Sequence, residues 1–272
     1  MANRRLRNLL EGNHNTESPE SPESNLDKIY RAVLDFYTRD LSDVEKQEDF
    51  FLKEILRLIV TLFKPLPISS LAEFTISKRP VSRVEECLHS IRSIVDLPKE
   101  HKSLISPVHV SFYEFLLDKQ RCGRTGFFVE PSTVHFHLFE RCLEIMSQHL
   151  HMDMCDFRKP GILSIEISSS LIQQSVEPHL QYACKYWVNH LIQIEKTQLP
   201  QDILTDGGKI HKFFQKHFLN WLETLSLIKE VGSAVHAINH LKASGGQELY
   251  NFLRDAYRFI LFNIQIIRDA PL

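Results

Sequence analysis

Glycine is scarce in this chain, and the glycine-rich motifs that bind phosphate are missing from it. Nine glycines in 272 residues are too few for the many tight turns of an all-β protein, so the composition favours a helical protein. The sequence contains neither Gly-x-x-x-x-Gly-Lys-Ser/Thr nor Gly-x-Gly-x-x-Gly. This absence excludes the two common backbone cradles for nucleotide phosphates. The five cysteines include no Cys-x-x-Cys pair, which indicates reduced thiols in a reducing compartment.

Long apolar runs and a dominant charge are also absent. The longest apolar run, residues 55–63, contains Arg57 and is shorter than the roughly 20 residues that a membrane-spanning helix needs. Residues 8–25 are polar, so we expect no signal peptide. A net charge of −2 provides no general attraction to nucleic acids or anionic membranes. Together these features predict a soluble, cytoplasmic protein.

Apolar residues recur at helical spacing along most of the chain. The predicted helices cover residues 26–36, 49–63, 71–74, 80–92, 111–117, 131–150, 171–176, 180–192, 210–225, 228–243 and 248–269. Two short strands are predicted at 94–97 and 105–110, joined by a polar turn at 98–103. Helices followed by a two-stranded hairpin are the element order of a winged helix. The predicted fold class is therefore mainly α.

The pattern divides the chain into four segments. Residues 1–25 comprise a short amphipathic helix at 4–11 and a Ser-Pro-Glu-rich linker that we expect to be disordered. Residues 26–118 are predicted to form a winged-helix-like domain of three to four helices and a hairpin, 119–130 a loop, and 131–272 an α-helical arm. The last helix is apolar on much of its circumference, which predicts cover on both sides and further structure beyond Leu272.

The sequence contains no recognisable catalytic motif. There is no Gly-x-Ser-x-Gly and no His-Glu-x-x-His, and Asp153, Asp156 and Glu166 are isolated carboxylates, so we predict that the chain is not an enzyme. Six residues have the side chains that zinc prefers, but their spacing matches no compact zinc finger, and we predict packing roles and no metal. These residues are His135, His137, Cys142, His149, His151 and Cys155.

The predicted winged helix raises the question of nucleic-acid binding. Its reading helix would be 80–92. Lys78, Arg79, Arg83 and Arg92 are basic, but Glu85 and Glu86 lie on the same helix. A DNA-reading surface usually concentrates positive charge, so we expect no nucleic-acid binding.

His109 is the main candidate for function. It lies where the predicted strand 105–110 meets a helix that begins at Ser111, with Val108 and Val110 facing the opposite side of the strand. Ser111 and Glu114 have the spacing of a capping box. Two interpretations are open. The ring could bond a backbone carbonyl, or it could donate to an anion held by another domain, because one ring nitrogen can donate while the other is fixed by the fold.

Several segments, taken together, resemble the region downstream of the NACHT NTPase in fungal NOD-like STAND proteins, whose members often carry WD repeats. The resemblance covers residues 6–272. The segments are Leu-Phe-Lys-Pro-Leu-Pro-Ile at 62–68 within the run 54–71, Leu-His-Ser-Ile at 88–91, Pro-Val-His-Val-Ser-Phe-Tyr-Glu-Phe-Leu at 107–116, Arg-Cys at 121–122 and Arg-Cys-Leu-Glu-Ile-Met at 141–146.

This resemblance implies a winged helix that packs on a nucleotide-binding domain and an arm that leads to sensor repeats. His109 matches the histidine of the Met-His-Asp motif, which in that class contacts the β-phosphate of bound ADP and holds the off state. Here Val108 and Val110 replace the flanking Met and Asp.

Without a P-loop, the chain is expected to bind ADP or ATP only together with a separate NACHT domain, in cis or in trans. The implied partners are that domain, the sensor repeats and other proteins. Two alternatives are open: a stand-alone adaptor that binds a protein through the groove of helices 178–269, and a winged-helix nucleic-acid binder.

Overall fold

The fold is mainly α, as predicted. The computed structural model describes residues 22–38, 43–96, 104–123, 125–159, 161–242 and 246–270. Twelve α-helices and one two-stranded hairpin lie in these ranges. The predicted helix 4–11, most of the predicted linker and the predicted turn 98–103 fall outside the described residues. No described helix combines the length and apolar character needed to cross a membrane.

The elements follow in this order: α1 (Pro22–Thr38), α2 (Asp43–Thr61), α3 (Ile68–Glu73), α4 (Val81–Ser90), β1 (Val95–Asp96), β2 (Ser106–Pro107), α5 (Ser111–Leu117), α6 (Lys119–Cys122), α7 (Pro131–His149), α8 (Ser169–Ser175), α9 (Pro178–Ile192), α10 (Lys209–Leu227), α11 (Val231–Leu241) and α12 (Gln247–Asp269). A 3₁₀ turn, Ser164–Glu166, precedes α8.

The first helices begin earlier than the periodicity predicts. Helix α1 starts at Pro22, so the end of the predicted linker is helical, and proline suits the first helical turn because that turn leaves its N–H groups unbonded. Helix α2 starts at Asp43 instead of residue 49, ahead of its apolar stripe. The apolar spacing of this segment predicts that Phe51, Ile55 and Leu58 face the core, and all three are buried.

The hairpin is shorter than predicted. Strands β1 and β2 pair antiparallel with Val95 opposite Pro107 and Asp96 opposite Ser106. The predicted strand residues 108–110 instead form a bend, and Val110 has helical dihedral angles of −58° and −33°. The chain leaves the sheet here because the Phe112 N–H already bonds the His109 carbonyl at 3.1 Å, which begins the turn into α5. The order of helices and hairpin agrees with the sequence, and the winged-helix assignment stays a prediction.

The predicted loop 119–130 begins with a helical turn. Helix α6 is capped by Asp118, whose Oδ1 accepts from the backbone N–H of Gln120 at 2.7 Å and of Arg121 at 3.1 Å. Gly123, with a φ of 62°, follows the turn, a backbone conformation that glycine adopts without steric cost. The aspartate therefore makes a short helix where apolar spacing alone indicates none.

Helices α7 and α9 form the centre of the arm, α10 and α11 pack against them, and α12 packs on α10 and α11. Trp187 and Trp221 fall on the apolar stripes of their helices, which predicts core positions, and both are completely buried. Helix α12 is covered on one side only. Leu249, Leu253 and Ile260 are buried, whereas Phe262 is 90% exposed. Within the described chain, α12 is contacted by α10, α11 and the 3₁₀ turn, and cover of its other side stays a prediction.

The N-terminal helices and the arm are in direct contact. Helix α2 packs on α7, and α3 contacts α9. Two side chains of α7 bond the carbonyls at the end of α3: His137 Nε2 donates to Phe74 O at 2.8 Å, and Arg141 Nε donates to Glu73 O at 3.2 Å. Helix ends leave carbonyls unpaired, and these donors satisfy them. The buried residues of both halves form one continuous core.

Candidate functional site

His109 lies on the bend between β2 and α5 with its side chain exposed. The two flanking valines, Val108 and Val110, are exposed by 60% and 66%, and Leu104 is also largely exposed. The bulky apolar side chains of Val108 and Val110 are thus exposed next to His109 in the sequence, and covering them with another molecule lowers the free energy.

The bonds of His109 differ from both the predicted capping box and the predicted carbonyl contact. The N-cap residue of α5 is Val110, which makes no side-chain capping bond, so the predicted Ser111 cap is wrong. Instead, the Ser111 backbone N–H donates to His109 Nδ1 at 3.1 Å, and Ser111 Oγ lies 2.7 Å from the same nitrogen. The imidazole takes the role of the cap because the bend at 108–110 turns it back over the first turn of α5.

A buried tyrosine of α1 completes this arrangement. Tyr30 Oη lies 2.8 Å from Ser111 Oγ, and both residues are 5% exposed. The Tyr30 ring contacts Phe112 and Phe115, with centroids 5.0 and 5.4 Å away. Sequence reasoning missed Tyr30 because it lies 81 residues from Ser111 and its spacing only indicates the core face of a helix.

An ion pair holds α1 to the end of this region. Arg121 of α6 donates to Asp27 of α1 through Nη2 at 2.9 Å and Nε at 3.1 Å. Arg31 Nε donates to the Arg121 carbonyl at 3.0 Å. The bonds to Asp27 raise the pKa of the Arg121 guanidinium further above its ordinary value. Such bidentate pairs fix orientation, so Tyr30 is held in register with Ser111.

The six residues with zinc-type side chains are dispersed over several sites. His135 bonds His190, His137 bonds a backbone carbonyl, and His151 Nδ1 lies 3.0 Å from the Met152 carbonyl. Cys142 and Cys155 are buried, and burial raises the pKa of both thiols. Within the described ranges, no three ligand groups converge on a position for a metal ion.

His149 belongs to a pocket of about 210 Å³ beside the start of α9, whose lining also includes His151, Glu177 and His179. The rings of His149 and His179 meet edge to face, with centroids 5.3 Å apart. Burial lowers the pKa of His179, so this ring favours its neutral form.

A second histidine cluster lies at the junction of the two halves. His135 Nδ1 and His190 Nδ1 are 2.8 Å apart, and His190 Nε2 lies 2.8 Å from Tyr182 Oη, which accepts the Phe63 backbone N–H at 3.1 Å. Burial lowers the pKa of His135 to about 4 and the pKa of His190 well below its ordinary value. Both rings are therefore neutral at pH 7. Through Tyr182 they connect α7 and α9 to Phe63, which lies just after α2.

The proposed reading helix offers little unpaired positive charge. Arg83 of α4 forms an ion pair with Glu86, and the Arg79 guanidinium lies 5.0 Å from the centroid of the Phe51 ring. Both arginines therefore contact groups of the protein itself.

Among proteins of known identity, the chain is similar to the vegetative incompatibility protein HET-E-1 of Podospora anserina. The two are 29% identical over 260 residues, which cover 89% of this chain and 19% of the relative. The chain therefore spans about a fifth of the length of that protein. No family model and no solved structure matches. The similarity supports a distant relation to fungal NOD-like STAND proteins and does not identify the region.

Proposed function

We propose that this chain is a non-catalytic regulatory region of a NOD-like STAND signalling switch, which couples a NACHT nucleotide-binding domain to a sensor repeat domain. The observation that carries the proposal is the geometry of His109: the imidazole is exposed on a bend, and its Nδ1 is engaged by Ser111. This leaves the other ring nitrogen for a contact outside the chain. The relation to a vegetative incompatibility protein supports the same class of function.

In this mechanism, the ADP-bound NACHT domain docks on the surface around His109. The ring donates to a phosphate oxygen of ADP, and the neighbouring Val108 and Val110 become buried. Exchange of ADP for ATP moves the phosphates relative to the imidazole and releases the domain. A ligand shifts such an equilibrium only by its differential affinity for the two states, and the histidine contact supplies part of that difference.

The proposal assigns the nucleotide to the NACHT domain and the regulatory contact to this chain. The helices before residue 118 act as the winged-helix module, and α7–α12 act as the arm between that module and the sensor. In the cell the region works in the cytoplasm.

A titration of the isolated chain with ADP, followed by calorimetry, is expected to give no saturable binding. Binding at micromolar concentration by the chain alone would contradict this division of roles.

The main experiment replaces the matching segment of the Podospora relative with this chain and then changes His109→Ala. Loss of a charge-assisted hydrogen bond costs roughly 1.5–3 kcal/mol, so we expect ADP to dissociate about 10- to 100-fold faster from the variant. The release of prebound fluorescent ADP measures the rate.

His89→Ala is the matched control, because His89 is an exposed histidine on α4 of the same half of the chain. The control is expected to release ADP at the rate of the unmodified chimera. Equal rates for all three proteins would overturn the proposed role of His109.

The second candidate function is a stand-alone adaptor that binds a protein through helices α9–α12. The exposed apolar side of α12, which includes Phe262 and Ile266, favours it. The test uses a purified protein that contains a sensor repeat domain and binds the wild-type chain. Weaker binding to the Phe262→Ser variant, with unchanged binding to the His109→Ala variant, would favour the adaptor over the switch.

A further inference from the structure

We infer that Ser111 and Tyr30 are positioning residues that hold the His109 imidazole in its Nε2–H tautomer, so that Nε2–H faces outward as a hydrogen-bond donor for an anionic oxygen ligand of the phosphate class. The identity of the ligand rests on the proposed function. The tautomer itself is a property of this chain and can be tested without any ligand.

The first step concerns the backbone of Ser111. A peptide N–H can only donate, and the Ser111 N–H points at His109 Nδ1 over 3.1 Å. Nδ1 must therefore present its lone pair. In a neutral imidazole one nitrogen carries the proton and the other accepts, so a lone pair on Nδ1 places the proton on Nε2. The backbone at the start of α5 thus selects one of the two tautomers.

The second step concerns the Ser111 hydroxyl. Its Oγ lies 2.7 Å from His109 Nδ1 and 2.8 Å from Tyr30 Oη. Because Nδ1 accepts, the Ser111 O–H donates to it, and Ser111 Oγ is then free to accept the Tyr30 O–H. The hydrogen bonds run in one direction, from Tyr30 through Ser111 to His109. Hydrogen bonds in such a series polarise one another, which strengthens the preference of Nδ1 to remain unprotonated and to accept.

The third step is that these donors are fixed before any ligand arrives. Tyr30 and Ser111 are buried, and the Tyr30 ring is held between Phe112 and Phe115. Bidentate pairing of Asp27 with Arg121 holds α1 against α6. The supporting groups therefore lie on helices and require no rearrangement, which is how a positioning residue raises the affinity of the group that it orients.

The exposed nitrogen, unbonded within the described ranges, distinguishes His109 from His190, which is buried. His190 uses both ring nitrogens, one toward His135 and one toward Tyr182. At His109, no group in the described part of the chain bonds Nε2, and the side chain is exposed. A neutral N–H donor on an apolar surface suits an oxygen anion held by a partner, since the donor requires little desolvation compared with a charged group.

The test is ¹⁵N NMR of the 272-residue chain with its 14 histidines labelled, since the ring nitrogen shifts report the tautomer. In the wild type, His109 is expected to populate Nε2–H almost exclusively. Tyr30→Phe and Ser111→Ala each remove a hydrogen bond, which we expect to shift the tautomer ratio toward Nδ1–H by roughly 2- to 10-fold. Ser111→Thr retains the hydroxyl and is expected to restore the wild-type ratio.

Tyr113→Phe is the matched control. It removes a tyrosine hydroxyl from α5, the helix that begins at Ser111, and leaves the hydrogen bonds from Tyr30 through Ser111 to His109 in place. It is expected to leave the His109 signals unchanged. A wild-type His109 in the Nδ1–H form would overturn the inference. Wild-type tautomer ratios in both Tyr30→Phe and Ser111→Ala would also overturn it.

A second measurement separates this inference from the proposed function. In the chimera, Tyr30→Phe is expected to speed ADP release by roughly 2- to 10-fold, although Tyr30 touches no nucleotide. If the variants shift the tautomer but His109→Ala leaves ADP release unchanged, the positioning role stands and the proposed function fails. If His109→Ala speeds release while the tautomer is unaffected by either variant, the proposed function stands and the positioning role fails.

Discussion

Gly208 and Gly232 show how strongly the environment of a single residue differs within the arm. Gly208 immediately precedes α10, where an added Cβ would lie 2.0 Å from the Asp202 carbonyl oxygen. Gly232 lies in the first turn of α11, and a Cβ added there would meet nothing within 4 Å. The first glycine is needed for close approach of two backbone segments, whereas the second only lowers the helix propensity of α11.

The paired substitutions Gly208→Ala and Gly232→Ala should therefore have opposite effects. We expect Gly208→Ala to lower the free energy of unfolding by about 1–3 kcal/mol, because the backbone must move to admit the methyl group. Gly232→Ala should raise it by about 0.5–1 kcal/mol. Urea denaturation followed by circular dichroism measures both. Equal stability of Gly208→Ala and the wild type would show that the chain before α10 relaxes easily.

Ser111 is the residue whose role depends most on its neighbours. Its sequence context indicates an N-cap, yet its hydroxyl lies between His109 and Tyr30. Serine hydroxyls rotate freely and take whichever partner the fold places nearest. The candidate site thus depends on a contact between residues that are far apart in sequence.

At the scale of the elements, α12 has two unlike sides. Leu253 is completely buried against the arm, whereas Phe262, Ile266 and Phe259 are exposed along the outer side. Helix periodicity accounts for the buried stripe. The exposed side adds apolar surface well beyond what the packing of the arm requires.

This asymmetry predicts different costs for two substitutions in α12. Leu253→Ala should destabilise the chain by about 2–5 kcal/mol, since it leaves a cavity in the core. Phe262→Ser should change stability by less than about 0.5 kcal/mol, because the ring loses no contacts within the fold. Chemical denaturation at low protein concentration compares them. A large loss of stability with Phe262→Ser would indicate that the outer side of α12 is covered in solution.

At the scale of the whole molecule, the two halves are joined through buried histidines and not through apolar contacts alone. The Phe63 ring contacts the His190 ring at a tilt, with centroids 4.7 Å apart, and the Phe63 N–H bonds Tyr182. His137 and Arg141 bond the carbonyls after α3. Polar contacts at a buried junction specify one relative arrangement because each unpaired donor would carry a desolvation cost.

The histidine junction predicts a stability that depends on pH. The pKa of His135 is about 4 in the folded chain and about 6.5 when unfolded, so the unfolded chain binds more protons between these values. Stability should be full above pH 7 and should fall as the pH drops from about 6.5 toward 4. We expect the free energy of unfolding to be about 1–2 kcal/mol lower at pH 5 than at pH 7.5.

Other groups act in the same window, and a variant isolates the contribution of His135. The pKa of His190 is lowered in the same direction, whereas burial raises the pKa of Glu223 and gives the opposite dependence. His135→Asn removes one titrating ring, so its stability should fall less steeply below pH 6.5 than that of the wild type. Identical pH profiles for the two proteins would show that His135 titrates normally in the folded chain.

The sequence alone determined the mainly α class, the approximate position of most helices and the burial of Trp187 and Trp221, because apolar spacing reports which face of a helix leaves water. It also identified His109 as a residue between a strand and a helix. These properties depend on residues within a few turns of one another, so local spacing is sufficient to predict them.

Only the tertiary structure decided the partners of these residues. Tyr30 reaches Ser111 across 81 positions, His135 reaches His190 across 55, and Asp27 reaches Arg121 across 94. The tertiary structure also showed that the strand predicted at 105–110 ends at Pro107 and that α12 is covered on one side. Hydrogen-bond partners and cover by neighbouring helices depend on how distant segments pack, and no local pattern in the chain encodes that packing.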